Sequence, residues 1–128
     1  MSDKQPMCRT CGQPKTFRPR SRNRWWCYPC QSLYVKKWRN EVRLEALAHY
    51  GGSCVCCGES EPVFLAFDHV DGGGGAHRRE NKISGGNGMA IWLRRNNWPT
   101  GFQILCNNCN YAKHALGECP HQSNKETK

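Results

Sequence analysis

The sequence predicts a small α+β protein in which cross-links replace part of the hydrophobic core. The chain has 128 residues, only 38% of them are hydrophobic, and its mean hydropathy is −0.81. A chain of this length with so little apolar material builds a weak core and needs disulfide or metal cross-links for stability. Ten cysteines can supply these cross-links. Short strand and helix patterns follow one another beyond residue 53.

Eight of the ten cysteines form four C-x-x-C pairs. A C-x-x-C turn directs two thiolates toward one tetrahedral centre, so two such turns complete a structural zinc site. Disulfides or unligated thiols are the alternative. The polar first residues, MSDKQPM, contain no secretory signal, which predicts a cytoplasmic protein and favours thiolate–metal sites. The sequence therefore predicts two structural Zn²⁺ ions, one held by Cys8, Cys11, Cys27 and Cys30, the other by Cys54, Cys57, Cys106 and Cys109.

Two cysteines remain outside this scheme. Cys56 lies beside a predicted ligand, and Cys119 is followed by Pro120 and His121. A third metal site is one interpretation of this C-terminal segment. A tail that simply folds back is the other, and it is favoured because the sequence displays no complete ligand set.

The positive charge is concentrated in the first half of the chain. Residues 1–50 carry 11 basic and 3 acidic residues, residues 51–128 carry 8 and 7, and the net charge is +9. Such an excess favours a polyanionic partner. Arginines alternate with other residues before Trp25 and Trp26, which offers guanidinium groups for phosphates and rings for stacking on bases or packing on zinc. The residues predicted to contact nucleic acid are Arg18, Arg20, Arg22, Arg24, Lys36, Lys37, Arg78 and Arg79.

The chain divides into four predicted segments. A zinc knuckle with its basic arm covers residues 1–30, and a basic connecting helix covers 31–52. Tyr34, Trp38 and Val42 recur every four residues within that helix, which Gly51-Gly52 ends. A second zinc module covers 53–121, and a polar disordered tail covers 122–128. No run of apolar residues is long enough for a membrane span.

The second module reads as strand, insert, strand and helix. Its first predicted strand ends in Asp68-His69, and its last helix carries Asn110 directly after a zinc-ligand pair. Asp68 and His69 are neighbours, so strand alternation predicts a strand end or bulge between them if they are to converge. The predicted elements are a strand over 63–70, loops over 71–75 and 85–88, a helix over 89–97, a strand over 102–105 and a helix over 107–116.

The segments FDHVDGGGGAHRR and ILCNNCNYAK resemble the HNH endonucleases, the zinc-bearing branch of the ββα-metal or His-Me finger superfamily. The resemblance covers residues 54–121 and is greatest to small phage enzymes that carry an extra N-terminal four-cysteine knuckle. It implies a ββα-metal module, metal-dependent cleavage of DNA, and the host cytoplasm as the place of action. The basic N-terminal half is similar only through its cysteines and its charge.

The resemblance also implies roles for individual residues. His69 matches the general base that activates water, and Asp68 and Asn110 match the ligands of one catalytic Mg²⁺ or Mn²⁺. Cys54, Cys57, Cys106 and Cys109 match the structural zinc ligands. The group that orients His69 stays open between a backbone carbonyl, Asp71 and His77, and His114 is a further candidate ligand one turn beyond Asn110.

A non-enzymatic zinc-ribbon protein that binds nucleic acid is the alternative function. It accounts equally well for the cysteines and for the basic charge. It leaves the pairing of Asp68-His69 with Asn110 without a reason, so the sequence favours a DNA endonuclease.

Overall fold

The computed structural model describes residues 4–123 and, at Gly86, the backbone alone. It is a small α+β structure with two two-stranded sheets and five α-helices in this range. The chain separates into two compact units, residues 1–39 and residues 40–128. No helix in the described range has the length and apolar character to cross a membrane.

The first unit is a knuckle followed by a short hairpin and a helix. Strands β1 (Thr16–Phe17) and β2 (Trp25–Trp26) pair antiparallel, and the arginine-rich segment forms the loop between them. The ring of Phe17 meets Trp25 edge to face at 5.2 Å between centroids. The apolar ends of the loop therefore close on each other and leave the charged residues between them in solvent.

Helix α1 (Tyr28–His49) begins earlier than the predicted segment 31–52 and includes Cys30, whereas Cys27, its C-x-x-C partner, lies directly before the helix. The side chains of Val42, Ala46 and Leu47 are buried, which is the i, i+4 spacing of one helix face. In the second unit, Arg43 of this helix donates hydrogen bonds to the carbonyls of Pro62 and Leu65 at 2.8 and 2.7 Å.

A hairpin and a helix form the centre of the second unit. A 3₁₀ turn (Pro62–Phe64) leads into strand β3 (Leu65–His69), which pairs antiparallel with β4 (Phe102–Cys106). Helix α4 (Asn107–Leu116) follows β4 without a break and has the range predicted from the sequence. The observed order is thus strand, insert, strand, helix.

The insert between the two strands contains two helices, α2 (Gly74–Glu80) and α3 (Gly85–Arg95). The prediction of loops over 71–75 and 85–88 is corrected here, because Gly74, Gly75 and residues 85–88 lie inside helices. Glycine weakens a helix but does not obstruct it. At Gly88 a Cβ would come within 3.2 Å of Ile83 Cγ2, so the absence of a side chain allows close packing there.

The core of the second unit is formed by α1, α3 and the β3–β4 hairpin. Its completely buried members include Met89 and Leu93 of α3 and Ile104 of β4. Tyr50 lies at the edge of this core and donates a hydrogen bond to the Pro99 carbonyl at 2.7 Å. The core is small, in keeping with the composition.

Helix α5 (Pro120–Ser123) forms the last described element. Gln122 and Ser123, which the sequence assigned to a disordered tail, are therefore helical. The rest of that predicted tail, residues 124–128, lies outside the described residues.

Candidate functional site

Two clusters of four cysteines, one in each unit, can each hold a metal ion. They contain the predicted residues Cys8, Cys11, Cys27 and Cys30, and Cys54, Cys57, Cys106 and Cys109. Within each cluster the sulfur atoms lie within 4.8 Å of one another. The edge of a tetrahedron with Zn–S bonds of 2.3 Å is about 3.8 Å. The Sγ–Sγ distances are 3.8 Å for Cys8–Cys30 and 3.7 Å for Cys57–Cys106, so both clusters are compatible with structural zinc.

The first C-x-x-C turn of each cluster has the same backbone geometry. Gly12 donates its N–H to the Cys8 carbonyl, and Gly58 donates to the Cys54 carbonyl, both at 2.9 Å. The two glycines have φ values of +74° and +84°, a region that side chains disfavour. Glycine directly after the second cysteine is therefore a local requirement of these turns.

The thiols of each cluster ionise unequally. Backbone N–H groups of Cys11 and Thr10 lower the pKa of Cys8 to about 6, whereas sulfur contacts with Cys11 and Cys27 raise that of Cys30 to about 12. The turn stabilises the thiolate of Cys8, and the negative charge of this thiolate disfavours ionisation of the neighbouring thiols. A bound cation compensates that repulsion, as in other metal-binding thiolate clusters.

A cleft of about 250 Å³ brings together the predicted catalytic residues of the second unit. Asp68 and His69 are the last two residues of β3, and Asn110 lies in the first turn of α4. The register pairs Asp68 with Gln103 and His69 with Phe102, so the strand is regular to its end and has no bulge between them. The cleft lining is Phe67, Asp68, His69, Gly72, Gly74, Gly75, Arg78, Asn110 and His114.

Three groups enclose the imidazole of His69. Its ring centroid lies 4.6 Å from that of Phe102 and 4.8 Å from that of His77. On a third side, a Cβ built on Gly74 would lie 2.9 Å from His69 Nδ1. His69 Nε2 is buried and has no hydrogen-bond partner in the described part of the chain. Burial, followed by the nearby His77, lowers the pKa of His69 below its usual value. The neutral ring, the form that accepts a proton, is thereby favoured at pH 7.

Two side chains that could orient His69, those of His77 and Asp71, have different surroundings. His77 contacts the ring edge to face and rests in turn on Trp92 at 4.3 Å. Asp71 is exposed and is not part of the cleft lining. Packing by His77, Phe102 and Gly74 therefore sets the position of the imidazole.

Asp68 is 3% exposed and has three polar neighbours. Its Oδ2 accepts hydrogen bonds from Lys113 Nζ at 2.6 Å and from Gln103 Nε2 at 2.9 Å. Its Oδ1 lies 3.7 Å from His114 Nε2. Lys113 thus compensates the buried carboxylate, while Oδ1 remains directed toward His114.

Lys113 and Gln103 are polar neighbours of Asp68 that the sequence interpretation missed. Lys113 lies one turn after Asn110, the i+3 spacing that places two side chains on one helix face. Gln103 can be identified once the strand register is known, because it stands opposite Asp68. The helical spacing of Lys113 was visible in the sequence, whereas Gln103 could be identified only from the pairing of the strands.

Asn110 supplies the third polar group of the cleft. Its Oδ1 is buried and has no hydrogen-bond partner among the residues that the structure describes. A buried amide oxygen without a partner is rare and calls for an explanation such as an ion or a water. The oxygen atoms of Asn110 and Asp68 are the ligand type that Mg²⁺ and Mn²⁺ prefer, so these residues fit a divalent cation.

The basic residues predicted to contact nucleic acid lie in both units. Arg18 stacks its guanidinium over Trp26, 4.8 Å from the ring centroid, and so covers one face of that ring. Arg78 lines the cleft and donates to the Gly85 carbonyl at 3.2 Å. The remaining six are exposed: Arg20, Arg22, Arg24, Lys36, Lys37 and Arg79.

Comparisons with protein-family models, with curated proteins and with solved structures find no match to this chain. The resemblance to HNH endonucleases therefore rests on the motifs themselves.

Replacing one ligand should affect only the unit that contains it. We expect Cys11→Ser to remove one zinc ion and the protection of amide hydrogens in residues 4–39. Cys57→Ser should remove protection from residues 40–123, because zinc contributes about 10–16 kcal/mol to the folding of small metal domains. Native mass spectrometry counts the metal, and hydrogen exchange locates the loss. Parent protein purified without any zinc, or unchanged exchange in both variants, would contradict the assignment.

Proposed function

We propose that this protein is a metal-dependent DNA endonuclease of the HNH type and that β3, β4 and α4 form its ββα-metal module. One observation carries the proposal: a histidine with a partnerless buried Nε2, a carboxylate and a partnerless buried amide oxygen line the same cleft. The net charge of +9 supports a polyanionic substrate. The order of elements in the second unit, strand, insert, strand and helix, supports the proposed ββα-metal fold.

Asp68 and Asn110 would hold the catalytic Mg²⁺ or Mn²⁺, with His114 beside them. When bound, the cation would neutralise charge on the phosphate and on the departing 3′-oxygen. Lys113 holds Asp68 in place through Oδ2 and leaves Oδ1 to other partners. The carboxylate can therefore serve folding and cation binding through different oxygen atoms.

His69 would accept the proton of the attacking water. The water oxygen forms a bond to phosphorus, and the bond from phosphorus to the 3′-oxygen breaks. The 3′-oxygen takes up a proton from solvent, His69 returns its proton to solvent, and the products are 5′-phosphate and 3′-hydroxyl ends. Phe102, His77 and Gly74 restrict the ring to one position, which favours attack along a single line. Arg78 at the rim of the cleft would contact the phosphate backbone.

The exposed arginines of the first unit would supply affinity for DNA. A second cleft in that unit, of about 430 Å³, combines basic and aromatic side chains. Lys36 and Arg39 lie there with Trp26 and Tyr28. Such a combination suits binding to the backbone with stacking on sugars or bases.

The proposed function is tested by a plasmid-nicking assay. Parent protein dialysed free of loosely bound ions should nick supercoiled DNA when Mg²⁺ or Mn²⁺ is added, at unchanged zinc content. His69→Ala should retain zinc and DNA affinity but lose on the order of 10²–10⁴ in rate, the usual contribution of a positioned base. Asp68→Ala and Asn110→Ala should be partly restored by excess Mn²⁺, whereas His69→Ala should not. DNA binding without cation-dependent cleavage would favour the non-enzymatic alternative.

Gly74 and Gly75 provide a matched pair of substitutions. Gly74→Ala places a methyl group against His69 Nδ1, and the packed ring cannot move without displacing Phe102 or His77. The cleavage rate should fall by about tenfold or more. In Gly75→Ala the new carbon meets only Arg79 Nη1, at an ordinary 3.7 Å. Both changes favour the helix, but only Gly74→Ala has a steric cost, so its Tm should be the lower of the two and the rates are compared at a temperature where both variants are folded. Equal rates would show that the position of His69 does not matter.

Affinity should depend on the first unit more than on the second. We expect Arg22→Gln to reduce the slope of log affinity against log salt by about 0.9, the effect of one lost phosphate contact. Arg95→Gln removes the same charge from an exposed position of α3 and should leave the slope unchanged. Fluorescence anisotropy with labelled duplex DNA across a salt series measures both. Identical slopes for the two variants would show that the arm does not contact DNA.

A further inference from the structure

A third group of metal-binding side chains lies in the second unit. It consists of Cys56, Cys109, Cys119 and His121, whose ligand atoms also lie within 4.8 Å of one another. His121 Nδ1 lies 3.3 Å from Cys109 Sγ, 3.4 Å from Cys119 Sγ and 4.0 Å from Cys56 Sγ. Zn–S bonds of 2.3 Å and a Zn–N bond of about 2.0 Å place these atoms about 3.5 Å apart in a tetrahedron. The four atoms therefore have the separations of a Cys₃His site.

Cys109 belongs to two groups at once. It is also the fourth member of the cluster with Cys54, Cys57 and Cys106. The other three members of the new group are separate from that cluster. A thiolate has lone pairs for two metal ions, so one sulfur can be the shared corner of two tetrahedra.

We propose that the second unit binds two zinc ions bridged by the thiolate of Cys109. The first ion has the ligands Cys54, Cys57, Cys106 and Cys109. The second has Cys109, Cys56, Cys119 and His121. The proposal does not rest on the proposed nuclease activity, and it replaces the expectation of two zinc ions in the whole chain by three.

The net formal charge of such a bridged centre equals that of a single zinc ion with four thiolate ligands. Six thiolates and a neutral imidazole around two divalent cations leave a charge of −2, the same as four thiolates around one. Gln122 supports the arrangement from outside, because its Nε2 donates a hydrogen bond to Cys56 Sγ at 3.1 Å. Hydrogen bonds of this kind orient metal ligands and stabilise thiolates.

The bridged centre also gives every cysteine of the chain a role. Four belong to the cluster of the first unit, four to the first ion of the second unit, and the last two, Cys56 and Cys119, to the bridged ion. Cys56 and Cys119 are each only 7% exposed, so neither is placed as a surface thiol. Ligation explains why two further thiols are buried beside a cluster that is already complete.

The second ion would connect the last described residues of the chain to helix α4. Cys119 and His121 flank the start of α5, whereas Cys109 lies in the first turn of α4 next to Asn110. A segment of three residues would thereby be tied to the helix that carries the candidate site.

The count of zinc ions in native protein tests the proposal directly. Native mass spectrometry of the parent, after exhaustive dialysis, should find three zinc ions per chain, and two or fewer would overturn the bridged centre. Cys119→Ser combined with His121→Ala leaves only two ligands of the new group and should bind two. His49→Gln changes an exposed histidine outside all three groups and should keep three. His121→Cys, which preserves a ligand, should also keep three.

Cadmium substitution tests the bridge without any mutation. In parent protein loaded with ¹¹³Cd, the β-protons of Cys109 should couple to two different cadmium nuclei, while those of Cys54 and Cys119 should each couple to one. Coupling of Cys109 to a single cadmium would overturn the shared ligand even if three ions were bound. Protein without the nuclease activity but with both signatures would leave the proposal intact, so its failure is separable from that of the proposed function.

Discussion

The second unit depends on the way its cysteines join the start of the β-hairpin to the start of α4. Cys54 and Cys57 precede β3, while Cys106 ends β4 and accepts a hydrogen bond at its sulfur from the backbone N–H of Cys109, at 3.4 Å. The backbone of Val55 also pairs with Ile104 at 3.0 Å. Because the apolar core is small, these links hold the hairpin and the helix in one geometry. Asn110 follows directly and takes its position from them.

The cleft beside this cluster is organised by one buried ion pair. A carboxylate as buried as Asp68 is stable only with compensation, and Lys113 and Gln103 provide it through a single oxygen atom. Lys113 also donates to the carbonyls of His69 and Val70, each at 3.1 Å. The same lysine therefore connects α4 to the end of β3. Both donors therefore engage Oδ2, whereas Oδ1 lies 3.7 Å from His114 Nε2.

Rings and glycines determine the position of His69. The imidazole lies against Phe102 and His77, His77 lies against Trp92 of α3, and Gly74 leaves no room for a methyl group on the remaining side. The glycine-rich insert therefore packs closely against His69 and does not serve only as a connection between the strands. Its two helices bring an aromatic surface to the imidazole, whose Nε2 atom has no hydrogen-bond partner within residues 4–123.

The sequence by itself determined the features that depend on short spacings. These are the four C-x-x-C pairs, two of which are followed by glycine, the range of α4, and the order of strand, insert, strand and helix. It also indicated Asp68, His69 and Asn110 as a group, and the structure places all three in one cleft. Only the tertiary structure decided what depends on residues distant in the chain. The helical state of residues 85–88, the pairing of Lys113 with Asp68 and the gathering of Cys56 and Cys119 around His121 arise from packing and register, which no local pattern encodes.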